Sequence, residues 1–274
     1  RQMADEVRII DVHDTRARLD VQPTRDELEE LGVTFNELLN QLFQEYEHQR
    51  RFAGNTAHQL RTPLTVMQGQ VDVALRRPRS AEEYQETLTT VSQATTSLSQ
   101  TVEALLFLAR PAGDQPIPDY QRTDLSLWLP EYLEHWKNSP RWNDISLETE
   151  ASLVCKTSPT LLAQIMEILI SNALKYSESG TSVEILVRRK AALIVLEVKD
   201  QGMGIAAEDR EAIFEPFFRT RQARQQASPG TGLGLALARH IATALEGRLA
   251  CVDGPGRETR FQLSLPAKGI QSAN

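Results

Sequence analysis

Cysteine is almost absent from this chain: Cys155 and Cys251 are the only two among 274 residues, and they lie far apart. A disulfide scaffold or a cysteine-ligated metal needs more numerous or closer thiols, so reduced cysteines in a cytosolic compartment are expected. Also missing is any run approaching the ~20 apolar residues that span a bilayer, and no leader-like pattern opens the sequence. The expectation is a chain that works in water. Positive charge is in short supply as well, with 30 Lys and Arg against 37 Asp and Glu and a formal net charge of −7. That balance argues against nucleic acid or an anionic membrane surface as the main partner. The length allows one core, but at roughly 100–200 residues per domain a multidomain chain is the better expectation.

What is present first is helical periodicity. Met3, Val7 and Ile10 step by four and three, and a polar connector with Pro23 leads to Leu28, Leu31, Phe35, Leu38 and Leu42 at heptad spacing. Asp26 and Glu27 place acidic groups at the positive end of that second helix. Residues 1–47 thus read as two short helices with an extended connector, and a plain coiled-coil linker fits them equally. Next comes FAGNTAHQLRTPL, Phe52–Leu64. Leu60, Leu64, Met67, Val71 and Ala74 form a helix–helix seam. His58 is two residues from Leu60, so at ~100° per residue it points roughly 200° from that seam, toward solvent. Arg61 and Thr62 share its face, and Pro63 removes a backbone donor and should kink the helix. Taken alone, such a histidine reads as a surface residue on a bundle helix.

That helix is predicted to run to about Arg77, with Pro78 and Ser80 marking a turn. Its partner carries Tyr84, Leu88, Val91, Leu98, Val102, Leu105 and Ala109, with polar Thr95 within the same heptad. Two amphipathic helices on a short turn cannot bury both stripes, so pairing with a second copy into a four-helix bundle is expected for residues 48–112. A loop from Pro111 to Pro118 ends the bundle.

From about Thr123 the pattern mixes helices with strands. Val183, Ile185 and Val187 alternate with Glu184 and Arg188, 193-LIVLEV-198 reads as a buried strand, and Phe261, Leu263 and Leu265 alternate with polar residues. Helices on one face of a mixed sheet give an α/β sandwich over residues 120–267, with 268–274 a tail. The segment 161-LLAQIMEILISNALKYS-177 reads as a helix that sets Asn172 in an apolar stretch, followed by Lys175 and Tyr176. A buried amide needs a partner, and a metal–phosphate group is one candidate. Downstream come 200-DQGMGI-205, 214-FEPFFR-219 and 230-GTGLGL-235. Each is weak alone, because short glycine pairs recur in many turns.

Together, in this order, these segments resemble the sensor histidine kinases of two-component signalling, and the resemblance covers nearly the whole chain. HQLRTPL is similar to the family's phosphoacceptor box, ISNALKYS to its asparagine box, DQGMGI and GTGLGL to its glycine boxes and FEPFFR to its phenylalanine box. The fold so implied is multidomain α and α/β. A helical coiled-coil and four-helix-bundle dimer is followed by an α/β sandwich ATP-binding domain of the Bergerat type. Residues 1–47 resemble a HAMP relay lacking its first turn. In that family a transmembrane helix, absent from this chain, normally precedes the relay, so the resemblance implies the cytoplasmic portion of a bacterial inner-membrane receptor.

The resemblance also distributes roles. His58 would attack the γ-phosphate of ATP in the presence of Mg²⁺, and the phosphoryl group would pass to an aspartate of a response-regulator receiver domain. Thr62 matches the residue that orients water for the reverse dephosphorylation, although a helical threonine commonly bonds the backbone instead. Asp200 would accept a hydrogen bond from the adenine amine. Gly202 and Gly204 would let backbone approach the base with positive φ. Gly230, Gly232, Leu233 and Gly234 would open a helix, Leu233 to Ala244, whose amides hold phosphate. Asn172 would ligate the metal, and Lys175, Tyr176 and Arg219 would serve the nucleotide and its γ-phosphate. Arg221 and Arg224 fit either that role or a solvated surface. Ile205 to Pro229 would be the mobile lid.

Three residues depart from the pattern. Gln59 stands where the family usually has an acid, and an amide can orient an imidazole but cannot take its proton. Ile168 replaces a first amide, four residues before Asn172 and on its helical face, while Glu167 falls ~140° away from Asn172 and cannot substitute. Glu258 occupies a position commonly held by glycine. Two rival readings therefore stand beside the kinase: a kinase-poor, phosphatase-biased receptor, and a nucleotide-gated dimeric adaptor that transfers no phosphoryl group.

Overall fold

A computed structural model describes residues 18–19, 27–109, 119–225, 230–253 and 258–267. The expectations at Met3, Val7, Ile10, Pro23 and Asp26, the loop at 111–118 and the tail at 268–274 lie outside them. The chain divides into two compact units, Arg1–Thr62 and Pro63–Asn274. Helix α1, Glu27–Leu75, begins in the first and continues into the second, uninterrupted at Pro63 and ending two residues before the predicted Arg77.

In the first unit the packed stripe of α1 differs from the predicted heptad. Leu39 and Phe43 are buried, as is Leu19 from the connector. Asn36 clasps the Leu19 backbone, accepting from its amide at 2.9 Å and donating to its carbonyl at 3.0 Å. The Arg18 guanidinium lies 5.2 Å from the centre of the Phe43 ring, within cation–π range. Leu31, Leu38 and Leu42 face outward. Leu31, Leu38 and Leu42 thus form a second stripe, exposed in one chain, beside the stripe that takes the connector.

In the second unit, α2 spans Ala81–Leu108 and starts on a reciprocal capping box, Ser80 with Glu83. Leu64, Val71, Leu75, Leu88, Val102 and Leu106 are exposed along α1 and α2. Such an apolar face is unusual on a lone chain. The C-terminal third of α2 behaves differently: Thr101 and Ala104 are buried and Phe107 meets His240 edge-on at 5.3 Å.

After α2 the chain runs through β1 (Gln121–Asp124), α3 (Leu125–Leu133), β2 (Ile145–Thr149), β3 (Val154–Thr157), α4 (Pro159–Tyr176), β4 (Val183–Lys190) and β5 (Leu193–Asp200). It then continues through α5 (Arg221–Gln225), α6 (Gly234–Ala244), β6 (Arg248–Val252) and β7 (Thr259–Pro266). The main sheet has the order β2-β4-β5-β7-β6, with β2 and β4 parallel and every other pair antiparallel. β1 and β3 form a separate antiparallel pair.

Alternation explains the sandwich. In β7, Thr259, Phe261, Leu263 and Leu265 are buried and the residues between them are not. Helix α4 answers with Leu162, Ile165, Met166, Leu169, Ile170 and Ala173, all essentially inaccessible. Each of its larger aliphatic side chains contributes about 2 kcal/mol of burial. Ser158 caps α4 and Pro159 starts it. The core thus fixes α4 over the sheet, so its C-terminal turn and the end of β5 meet at one edge of the sandwich.

Candidate functional site

At that edge lies a cleft of about 350 Å³. Asn172, Lys175 and Tyr176 enter it from α4, Asp200, Met203, Gly204 and Ile205 from the end of β5, and Arg219 from the segment before α5. Gly230, Thr231, Gly232 and Gly234 close one side and Thr259 another. The size and the mixture of apolar wall with few polar groups suit a nucleotide.

Asp200 is 3% exposed. Burial pushes its carboxyl up to about 6 and nearby Glu258 adds to the push, while the Gly202 amide, 2.9 Å away, and the Thr259 hydroxyl hold it down. Being raised, this group favours the fold below its folded pKa and opposes it above, so its cost to stability fades as pH falls through about 6. Its capacity as an acceptor follows the opposite course. Nucleotide affinity is therefore expected to be flat above neutrality and to fall toward tenfold per pH unit below about 6. Calorimetric titrations from pH 7.5 to 5 test this, and a profile unaltered by Asp200→Asn would remove Asp200 from the site.

The glycines serve two different purposes. Gly204, Gly230 and Gly232 have φ of 72°, 148° and 75°, a region open to glycine. Gly202 does not share it, contrary to the positive φ predicted there, and does not line the cleft. It is small because a Cβ would strike the Tyr176 carbonyl and lie 2.6 Å from Asp200 Oδ1. Gly202 thus docks β5 onto the end of α4. A Cβ at Gly230 would lie 2.6 Å from Lys175 Nζ, so this glycine makes room for the ammonium, which also rests 4.6 Å from the centre of the Tyr176 ring.

Helix α6 starts at Gly234, one residue later than predicted, with Leu233 as N-cap. Leu233 is buried and absent from the cleft lining. Its side chain cannot cap, and Thr231 Oγ1 accepts only from the Leu233 amide, at 3.3 Å, which leaves the amides of the first turn for an anion. Arg219 lines the cleft with its Nη2 donating to the Ala223 carbonyl at 2.7 Å. Arg221 and Arg224 are exposed on α5 and stand outside the lining, the surface reading of the two. The predicted lid is structured through Gln225: Ile213 and Phe214 are buried, and Phe214 meets Phe261 edge-on at 6.3 Å.

Of the departures, Ile168 does not reach the cleft beside Asn172. Its Cγ2 sits 3.3 Å from where a Cβ on Gly234 would be, packing under the start of α6. Glu167 points elsewhere, accepting from the Tyr132 hydroxyl at 3.2 Å. In the first unit His58 is exposed, Gln59 is half-buried, and the Thr62 hydroxyl donates to the His58 carbonyl at 3.2 Å.

Residues 157–269 match the family of histidine kinase-, DNA gyrase B-, and HSP90-like ATPases, residues 48–113 the His kinase A phospho-acceptor domain and residues 1–44 the HAMP domain. The chain belongs to the two-component sensor histidine kinases. It is 32% identical over 244 residues to the sensor protein IrlS of Burkholderia pseudomallei (strain K96243), covering 89% of this chain and 53% of that relative. The chain spans about half the length of the curated relatives it matches. Its fold is similar to the Acinetobacter baumannii histidine kinase AdeS, with TM-score 0.61, 24% identity and coverage of 77% of this chain and 98% of that one. It is also similar to histidine kinase ThkA, solved in complex with the response regulator protein TrrA, with TM-score 0.60, 19% identity and coverage of 82% and 65%.

Several residues of the cleft escaped the sequence reading. Met203 and Ile205 flank Gly204 and could have been inferred from their neighbours. Thr259 opens β7 one alternation before Phe261. Gln100 gave no local signal, since it reaches the cleft only because the end of α2 packs on α6.

Proposed function

We propose that this chain is the ATP-dependent catalytic portion of a homodimeric protein-histidine kinase. On this reading it phosphorylates His58 and passes the phosphoryl group to an aspartate of a response-regulator receiver domain. The observation that carries the reading is the convergence in one cleft of a buried carboxylate, Asp200, glycine backbone at positive φ, Gly204 and Gly232, and the cation of Lys175. Asp200 would accept from the exocyclic amine of adenine, and the α6 amides with Lys175 and Arg219 would take the phosphates. Asn172 lines the cleft with no hydrogen bond to its amide among the described residues. A single neutral oxygen suits Mg²⁺, which keeps several waters and would supply charge neutralisation at the phosphates.

The neutral ring nitrogen of exposed His58 would form the new N–P bond as the bond from the γ-phosphorus to the β–γ bridging oxygen breaks and ADP departs. The ring proton goes to water, because the Gln59 amide can hold the imidazole but not accept its proton. Thr62 would help orient water in dephosphorylating the regulator. The domain division we propose is a HAMP-like relay over 1–47, a dimerisation and phosphotransfer hairpin over 48–112 and an ATP domain over 120–267. Among the described residues no helix is long and apolar enough to cross a membrane, and membrane attachment through a segment outside this chain is part of the proposal.

Incubation with γ-labelled ATP tests the reading, the expected product being acid-labile, base-stable label on protein that moves to a receiver domain. A phosphatase-biased receptor on the same scaffold is favoured by Gln59, whose amide cannot take the imidazole proton. It would give ATP binding and regulator dephosphorylation with little label.

The dimer rests on the exposed apolar face of α1 and α2. Leu88 is 67% exposed in one chain, so a charge there costs a single protomer little but is expensive in a buried seam. Leu88→Glu is expected to give a folded monomer in sedimentation, with at least ~100-fold weaker association. An unchanged dimer would place the interface elsewhere.

A further inference from the structure

Helix α4 ends at Tyr176 with carbonyls that have no partner within the helix. One of them is served locally, since the Ala173 carbonyl accepts from the Ser177 amide and hydroxyl. That of Leu174, together with the carbonyls of Ser177 and Glu178 just past the helix, is met by a residue from another part of the chain. Arg141 precedes the short turn Trp142–Asp144 and sends its guanidinium across to the end of α4. Nη1 donates to the Leu174 carbonyl and, at 2.9 Å, to the Ser177 carbonyl. Nη2 donates to Ser177 Oγ at 3.2 Å and to the Glu178 carbonyl at 2.7 Å, while Nε donates to Asp144 at 2.7 Å. Asp144 then accepts from the Gly180 amide at 3.1 Å. Arg141 and Asp144 side chains are only 16% and 13% exposed, and Arg141 keeps the Asp144 carboxyl below the usual carboxylate range.

We propose that Arg141 is a positioning residue for the nucleotide, acting through α4, and this rests on the reading of the cleft as an ATP site. The fork fixes the last turn of the helix that carries Asn172, Lys175 and Tyr176 into the cleft. The effect extends to the base end, because the Tyr176 carbonyl abuts Gly202, whose amide bonds Asp200. A guanidinium is required because several carbonyls on diverging lines must be met at once by a planar donor set, which a single ammonium cannot reproduce. Its charge also sits at the negative end of the α4 dipole. None of its atoms touches the cleft.

The test compares Arg141→Lys, Arg141→Gln and Asp144→Asn in the full chain, titrated with ATP well below each variant's melting temperature. Glu148→Gln, which loosens only an exposed ion pair with Arg188, is the control. Arg141→Gln is expected to weaken ATP binding on the order of tenfold, Arg141→Lys somewhat less and Asp144→Asn a few-fold. Amide exchange should quicken at residues 174–180 and not in β4 or β7. If Arg141→Gln does not fold, Arg141→Lys and Asp144→Asn carry the same prediction with smaller effect. Unchanged ATP affinity at reduced melting temperature would overturn the proposal by making Arg141 a stabilising clamp alone. Failure of the unmodified chain to bind ATP would instead overturn the nucleotide reading on which it rests.

Discussion

His58→Gln is expected to abolish phosphoryl incorporation while ATP binds as tightly as in the unmodified chain. Glutamine keeps a polar, helix-compatible side chain of similar reach but has no nucleophilic nitrogen lone pair, so loss of label should exceed about a thousandfold. His58 is exposed on α1 and is not among the residues that line the cleft, so nucleotide affinity is expected to be independent of the substitution. The other described histidines provide the comparison. His135 has Nδ1 2.9 Å from the Tyr132 carbonyl, and His240 is half-buried against Phe107. His48 is exposed on the same helix as His58 and is the natural competitor for the phosphoryl group. His48→Gln should therefore keep its label. Phosphate recovered on His58→Gln but lost from His48→Gln would move the acceptor ten residues upstream.

Legibility in the sequence followed the range of the interaction. The cleft's polar groups were readable because each belongs to a short segment whose chemistry is local: a carboxylate at a strand end, an amide in an apolar helix, glycines ahead of a helix. Asp200, Asn172, Lys175, Gly204 and Gly232 all line one cavity. Strands β4 and β7 followed from alternation and β5 from its apolar run, whereas β1 and β3 are too short, at four residues each, to show a period. Readings that depended on what packs opposite fared worse. In α1 the predicted heptad residues Leu31, Leu38 and Leu42 lie exposed, and the connector covers a different stripe, where Asn36 bonds the Leu19 backbone and Leu39 and Phe43 are buried. Ile168 has the helical phase expected of a cleft residue yet is covered by the start of α6. Gly202 looked like a turn glycine and is instead the point where two backbones touch. Arg141 left no signal, since apart from nearby Asp144 its partners lie more than thirty residues away and most are main-chain carbonyls, invisible to any pattern of side chains.

Gly232→Ala is expected to weaken ATP binding on the order of a hundredfold with a drop of only a few degrees in melting temperature. The added Cβ would lie 2.8 Å from the Phe217 carbonyl carbon, 2.9 Å from its Cα and 2.9 Å from the Phe218 oxygen. All three are backbone atoms, which cannot rotate away as a side chain can. Alanine also pays about 1 kcal/mol at a φ of 75°. The two segments are tied, since the Phe217 amide donates to the Gly232 carbonyl at 2.9 Å, and Phe217 itself is held at a φ of 65°. Relief therefore requires the glycine loop and the segment leading to Arg219 to separate. That displaces the first turn of α6 and Arg219 together, the groups assigned to the phosphates, while the core between α4 and the sheet stays filled. Affinity for ATP should fall more than affinity for adenosine, which depends on Asp200. Gly69→Ala is the matched control: nothing lies within 4 Å of the new methyl on α1, so it should raise stability by about 0.5–1 kcal/mol and leave ATP binding alone. Equal losses for ATP and adenosine in Gly232→Ala would mean that the whole cleft has collapsed and that this loop has no separate part in holding phosphate.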